Sequence, residues 1–352
     1  MTSALLYDDN LHLYAAMLND IAKAKKYIYL ETFTFGKASI GRKFLTALVQ
    51  KAKQNVKVKL LLDDYGSWPQ KSFFADLVAA GGTVRFFRKI KYHPNIIGVN
   101  NHRNHRKLLL IDDKISYIGS SNLATHMIGW RELTLRLEAA VSSLKQVFMH
   151  TFNRASEPIY KRKKRLLPVL IGKLKIIADH PSLRHLAIRK EQLRLIHSAQ
   201  SSIYIEMPYF LADRKLRRAL QLATRRGVQV TIVLPTKSDS TLVDILREKY
   251  FGKYADLGIR IYFYKPDLLH AKLLFIDEEE FCFGSANMDY RSLWHQFELN
   301  VVGGEKEITA QLVKHMHGTL KESEPFIYEI WKKRSILQRF FELLLTPFRY
   351  LL

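Results

Sequence analysis

Apolar positions along the chain follow two periods, helical and strand-like, and the succession occurs twice. Helix-spaced residues from Leu11 to Lys26 lead into the apolar run Tyr27-Ile28-Tyr29-Leu30, closed by Glu31. A basic helical stretch over Gly41 to Lys53 precedes Val56 to Leu62, and Phe73 to Gly82 precedes Val84 to Phe87. The second half repeats the order: Glu191 to Gln200 before Ser202 to Glu206, Asp213 to Arg226 before Val228 to Leu234, Ile245 to Gly258 before Ile259 to Tyr262. Strands this apolar are covered on both faces. Their alternation with helices predicts an α/β protein of two similar lobes, each a mixed, mainly parallel sheet flanked by helices. Two more apolar runs, Leu108 to Ile111 and Leu273 to Ile276, read as core strands returned by short turns at Asp112-Asp113-Lys114 and Asp277 to Glu280. The lobes are expected over 1–157 and 181–325.

Between them, 158–180 carries Lys161-Arg162-Lys163-Lys164-Arg165 and Pro168, then an apolar-basic alternation through Lys175. It reads as a basic connector over the surface, either simply solvated or in contact with anionic headgroups. The tail, 326–352, has its own period: Ile336, Phe340, Leu344, Phe348 and Leu352 recur every four residues, joined by Leu337, Phe341 and Leu345. Ser335, Gln338, Arg339, Glu342, Thr346 and Arg349 fall on the other side, and Lys332-Lys333-Arg334 lie just before. A basic, aromatic, amphipathic helix of this kind suits a membrane interface; its other fate is packing on the protein's own core.

Charge changes the picture most. Lys+Arg 56 against Asp+Glu 33 leaves +23, which favours phosphate-rich partners, either anionic lipid or nucleic acid. Cys282, in Phe281-Cys282-Phe283, is the sole cysteine; it is expected as a buried small hydrophobe, and a disulfide framework is excluded. The start, Met1 to Asp9, lacks a signal-peptide pattern, and no apolar stretch reaches the roughly 20 residues needed to span a bilayer. Pro94 to Val99 is expected to be a loop at the mouth of the site or a plain linker.

The chemistry lies in a duplicated motif. His105-Arg106-Lys107, four apolar residues and Asp112 are matched by His270-Ala271-Lys272, four apolar residues and Asp277. Gly119-Ser120-Ser121-Asn122 and Gly284-Ser285-Ala286-Asn287 follow, and every one of these positions recurs 165 residues later. His and Lys two apart leave the same face of a strand. Two such copies suggest that the histidines, lysines and asparagines of both halves meet at one phosphoryl group at the lobe interface. Imidazole can attack phosphorus or move a proton, while Lys107, Lys272, Asn122 and Asn287 hold the oxygens as charge builds. Ser120 and Ser285 either donate to substrate or fix a turn. Asp112 and Asp277 complete the catalytic motif, although their place at the strand ends suits tying strands together. No cofactor or metal is required: His102, His105, His126 and His295 lack a completing Cys or carboxylate set.

These motifs resemble the phospholipase D superfamily over nearly the whole chain. Within it, Ile28 to Thr32, His105 to Leu109, Gly129-Trp130-Arg131-Glu132, Pro208-Tyr209-Phe210, Asn287 to Ser292 and Phe297-Glu298-Leu299 are similar to the bacterial cardiolipin synthases. Glu132 stands where Asp is common, and Ala212 follows Pro208-Tyr209-Phe210 where another proline is frequent. The resemblance implies a phosphatidyltransferase that makes cardiolipin from phosphatidylglycerol through a phosphohistidine, releasing glycerol. It implies that Glu132 and Glu298 each orient an active-site imidazole, and it favours His105 as nucleophile, which the symmetric motif alone leaves open. Implied partners are phosphatidylglycerol and the cytoplasmic face of a bacterial membrane, bound peripherally, with no obligate protein partner evident. Rival readings are a phospholipase D that hydrolyses lipid, a nuclease of the same superfamily, or an idle binding module. Two intact copies of His, Lys, Ser and Asn argue against the last.

Overall fold

The β-branched and aromatic runs become strands, and the helix-spaced runs pack over them. The computed structural model describes residues 3–67, 71–88, 101–139, 141–157, 166–181 and 186–347. The loop 94–99, the basic run 161–165 and Phe348, Arg349 and Leu352 lie outside the described residues. The first lobe runs β1 (Ala4–Asp9), α1 (Asn10–Lys23), β2 (Tyr27–Thr32), α2 (Ser39–Lys53), β3 (Lys57–Asp63), α3 (Ala75–Ala79), β4 (Thr83–Phe87), β5 (Arg103–Asn104), β6 (Leu108–Ile111), β7 (Ile115–Gly119), β8 (Arg131–Leu137) and α4 (Val141–Asn153). Its sheet has the order β1-β8-β7-β6-β2-β3-β4.

The second lobe runs β9 (Val169–Ile171), β10 (Leu174–Asp179), α5 (Ala187–Ser198), β11 (Ser202–Glu206), α6 (Arg214–Arg225), β12 (Gln229–Pro235), α7 (Thr241–Asp256), β13 (Arg260–Tyr264), β14 (Leu273–Ile276), β15 (Glu280–Gly284), α8 (Tyr290–His295), β16 (Gln296–Gly303), α9 (Lys306–Lys321), β17 (Ser323–Pro325), α10 (Tyr328–Lys332) and α11 (Ile336–Leu345). Its strands lie in the order β17-β13-β12-β11-β14-β15-β16-β10-β9, and β5 pairs with β16.

Both sheets are mixed. Parallel pairing is confined to β2-β3-β4 and β11-β12-β13 in the main sheets, while β6 and β14, the strands that follow the His-x-Lys motifs, join their neighbours antiparallel. Antiparallel pairs therefore prevail, because each motif strand enters beside β2 or β11, the first of the parallel strands in its sheet, and turns back as a hairpin.

The stretch expected as a connector is partly sheet. β10 pairs antiparallel with β16, as β1 does with β8, so 174–179, with β9 before it, belongs to the sheet of the second lobe. Its apolar-basic alternation is that of a strand: Leu174 and Ile176 are buried, while Lys175 turns outward to pair with Glu191.

Apolar faces gather into three main cores. One lies between the two sheets, joining Leu108, Leu110 and Phe148 of the first lobe to Leu273, Phe275 and Phe297 of the second. Each lobe also has an outer core of its own. Polar bracing crosses the boundary: the His315 ring lies 3.1 Å from Asp8 and 3.0 Å from Glu206. The lobes are therefore fused, and the geometry between them is fixed. Among the described residues, no helix is long and apolar enough to cross a membrane.

Candidate active site

Each motif histidine sits just before its hairpin, where the chain crosses to the other lobe. The His105 N–H donates to the Phe297 carbonyl at 2.9 Å, and the His270 N–H to the Arg131 carbonyl at 2.8 Å. Each imidazole is thereby delivered beside a glutamate of the opposite lobe. His105 Nδ1 lies 3.1 Å from Glu298 and His270 Nδ1 lies 2.8 Å from Glu132. Both rings line one cavity of about 290 Å³, with Asn122, Asn287, Trp130 and Tyr209. Nδ1 is occupied in both rings, so Nε2 is the nitrogen available to the cavity.

The second signature explains itself in this frame. A Cβ on Gly119 would fall 2.4 Å from the Leu133 carbonyl oxygen, and one on Gly284 2.3 Å from that of Leu299. Glycine lets β7 and β15 approach their neighbours closely enough for the next residue to reach across. Ser120 Oγ donates to Glu132 at 2.5 Å and Ser285 Oγ to Glu298 at 2.5 Å; each also accepts a backbone N–H at 2.9 Å. Of the two roles open to the serines, donation to substrate or fixing a turn, the geometry favours a positional one: both are fully buried and hold the two glutamates. Asn122 is anchored through Oδ1, 3.1 Å from the Thr34 N–H, which leaves its amide N–H₂ for the cavity.

Lys107 and Lys272 are buried, each donating to the carbonyl of its own motif histidine at 2.6 Å. Burial, and for Lys107 the nearby Lys272, pulls them down to about 7 and about 8 respectively. A bound phosphodiester anion would reverse much of that cost and restore both charges.

The two His–Glu pairs look alike but differ in charge. Burial pushes the Glu298 carboxyl up to about 8, with Lys107 only partly opposing. Burial also pushes at Glu132, but His270, Lys272 and the Ser120 hydroxyl outweigh it and hold it below the ordinary carboxyl value. His105 is held well below the ordinary imidazole value by burial and by Lys107 and Lys272. His270 is lowered by burial too, with Glu132 offsetting part of the effect. His105 Nδ1 also faces the Ser285 carbonyl at 3.0 Å, so a neutral ring keeps its proton there and bares the lone pair of Nε2.

Asp112 and Asp277, counted with the catalytic motif, lie away from the cavity. Lys107 and Asp112 are five residues apart along a strand, roughly 16 Å. The Asp112 carboxylate accepts N–H groups of Lys25, Lys26 and Tyr27, at 3.0, 2.7 and 2.9 Å. Asp277 does the same for Gln200, Ser201 and Ser202, at 2.9, 2.8 and 2.7 Å. Both tie the hairpin to the start of the neighbouring strand. Burial opposes their charge, but these donors win and lower both carboxyls. Asp112→Ala is therefore expected to cost about 2–3 kcal/mol of stability, a fall in melting temperature of about 3–4 °C for a chain of this length, with turnover per folded molecule unchanged. The contribution is full above the ordinary value of 3.8 and fades as pH falls through the lower folded value. Melting curves from pH 7 to pH 3 check this, since the parent should approach the variant only in acid.

Several cavity residues escaped the motif reading. Phe33 stands edge-on to His105 at 5.1 Å, and Trp130 lies 5.2 Å from His270. Tyr209 donates to Asp239 at the cavity wall, and Asp289 caps α8 through the Ser292 N–H at 2.6 Å. Trp130, Tyr209 and Asp289 lie inside stretches that carried the family resemblance; Phe33 and Asp239 had no sequence signal.

Comparison with known proteins agrees with the geometry. The family model described as "Cardiolipin synthase, PLD-like domain" matches residues 17–155 and 193–320. Cardiolipin synthase 1 of Staphylococcus epidermidis is 33% identical over 351 residues, covering 96% of this chain and 71% of that protein. The cardiolipin synthase of Clostridium perfringens is 32% identical over 354 residues, covering 95% and 74%. In fold, the chain is similar to the phosphatidylserine synthase of Haemophilus influenzae, with TM-score 0.77 at 12% identity over 98% of this chain and 92% of that one. A duplicated motif, crosswise His–Glu pairs in one cavity and relatives matched along almost the whole length converge: the chain belongs to the cardiolipin synthase family of the phospholipase D superfamily and is a phosphatidyltransferase.

Proposed function

We propose that the protein makes cardiolipin from two molecules of phosphatidylglycerol, releasing glycerol, at the cytoplasmic face of a bacterial membrane. His105 Nε2 attacks the phosphorus of the first phosphatidylglycerol. The bond to the headgroup glycerol breaks as His270, protonated on Nε2, gives that proton to the departing oxygen. The phosphatidyl group then rests on His105. The free hydroxyl of a second phosphatidylglycerol replaces glycerol in the cavity, and His270 takes its proton. Its oxygen attacks phosphorus and the P–N bond breaks, freeing His105.

The observation that carries this reading is that the two imidazoles line one cavity, each with Nδ1 against a glutamate of the opposite lobe; the opposed shifts of those glutamates then assign the roles. An ionised Glu132 offsets part of the burial that lowers His270 and so favours its cationic form relative to His105, as a general acid requires. A largely protonated Glu298 leaves His105 neutral and nucleophilic. Lys107, Lys272 and the amides of Asn122 and Asn287 supply donors for non-bridging oxygens. The sole cysteine, Cys282, is buried and its thiol is pushed up to about 12, which keeps it out of the chemistry.

Incubation with phosphatidylglycerol vesicles and separation of the products tests the reaction. Cardiolipin and glycerol in equal amounts are expected. Phosphatidic acid as the only lipid product would make the enzyme hydrolytic, and cleavage of DNA without lipid turnover would replace the substrate class altogether.

A further inference from the structure

The tail helix is mounted inside out. Gln338 of α11 donates to Glu248 of α7, Thr346 accepts from Lys249 at 2.7 Å, and Glu342 is buried in an ion pair with Arg334 at 2.8 Å. Trp331 of α10 donates to the Glu248 carbonyl at 2.9 Å and packs against Gly252, where a side chain would collide with its ring. The polar strip of α11 is thus the side that holds it to the protein. Ile336, Leu337, Phe340, Phe341, Leu343 and Leu344 are left 43–86% exposed. Most of the apolar stripe neither packs on the core nor is broken by charge.

Beside it, α6 and α7 form a groove of about 760 Å³. Arg214, Arg217, Arg218, Arg225, Lys249 and Lys253 line it, with Asp256 the one carboxylate. Among the described residues, none of the six cations has a carboxylate within ion-pair distance. The groove shares α7 with both α11 and the catalytic cavity, whose wall includes Ser240 and Val243. Val243 and Lys253 are ten residues apart on α7, roughly 15 Å along its axis.

We propose that this groove and the exposed stripe of α11 are one docking face for an anionic phospholipid bilayer. Lipid phosphates would lie in the groove, outside the catalytic centre, and the stripe would enter the headgroup–acyl boundary. The pairing of features selects the occupant. Nucleic acid would satisfy the cations but leave the stripe in water. A second copy of the chain would bring like charges together. Only an anionic bilayer offers phosphate and hydrocarbon at adjoining depths. Docked there, the protein keeps its cavity, which shares α7 with the groove, near the lipid it consumes. The idea rests on the phospholipid reading, but its test measures binding without turnover.

The test is flotation of the full chain with vesicles of phosphatidylglycerol and phosphatidylcholine. Two exposed-residue variants are compared with the parent: Arg218→Glu/Arg225→Glu/Lys253→Glu in the groove and Phe340→Ser/Leu344→Ser on the helix. Each is expected to lower the partition coefficient at least about tenfold, and their combination at least about 100-fold. Loss in the groove variant should vanish on phosphatidylcholine alone or in high salt. Turnover of short-chain phosphatidylglycerol, dispersed as monomers, should stay at the parent level in both, which shows them folded. Parental partitioning by either variant overturns the proposal. So does a helix variant that changes only self-association, or a groove variant that loses only binding to duplex DNA. Failure of the parent to turn over lipid while still floating would overturn the proposed reaction and leave the docking face intact.

Discussion

Alanine at His105 or at His270 is expected to lower turnover of phosphatidylglycerol by at least about 10⁴-fold, with the fold unchanged. Both rings face one cavity, and among the described residues that line it there is no third imidazole. The two losses should nevertheless differ in kind. With His105 gone, no nitrogen is placed to receive the phosphatidyl group, and no covalent intermediate forms with any substrate. With His270 gone, attack by His105 is intact, and only protonation of the leaving alcohol fails. A phosphatidyl ester of p-nitrophenol needs no such proton, because its phenolate leaves readily. His270→Ala should therefore still release one equivalent of p-nitrophenol in a burst and then stall, holding labelled phosphatidyl on the protein. His105→Ala should show neither burst nor label. The opposite pattern would exchange the roles of the two histidines. Full activity in either variant would end the paired-site account.

How much of this site the sequence disclosed depends on the distance over which each residue acts. His, Lys and Asn were legible because strand geometry and an exact 165-residue offset put them on equivalent hairpins of two lobes. The crosswise pairing was not: nothing local to His105 says that its partner is Glu298 rather than Glu132, which is far nearer in sequence. That choice is made by β5 lying beside β16 and by the His105 N–H bonding to Phe297. The targets of the serines were hidden for a similar reason, since a hydroxyl beside an asparagine can serve a substrate or a turn until its glutamate is located. Asp112 and Asp277 share the motif's spacing without its chemistry, their targets being backbone N–H groups that carry no sequence mark. β10 was hidden by basic neighbours, and its likeness to β1 emerges only once both are seen at β8 and β16.

Glutamine at Glu132 and at Glu298 should separate the two halves of a nearly symmetric site. Glu132 is held ionised, with one oxygen 2.8 Å from His270 Nδ1 and the other accepting from Ser120 at 2.5 Å. An amide there removes the anion that stabilises the imidazolium, and it can present the wrong group to Nδ1. Glu132→Gln is expected to lower kcat/KM by about 10²–10⁴-fold. Glu298, pushed up to about 8, is mostly protonated at pH 7, and an amide is close to a neutral carboxyl in shape and charge. Glu298→Gln is expected to lower kcat/KM no more than about tenfold at that pH. Stability should tell the same story. A carboxyl whose folded value lies above the ordinary 4.5 gains a proton on folding, so its contribution is complete below 4.5 and declines as pH rises toward 8. Glutamine has no proton to lose. Between pH 5 and 8 the melting temperature of Glu298→Gln should therefore climb relative to the parent, while Glu132→Gln shows no such trend. Equal kinetic losses in the two variants, with parallel melting profiles, would mean that both glutamates carry the same charge. The division of labour between His105 and His270 would then lose its physical basis.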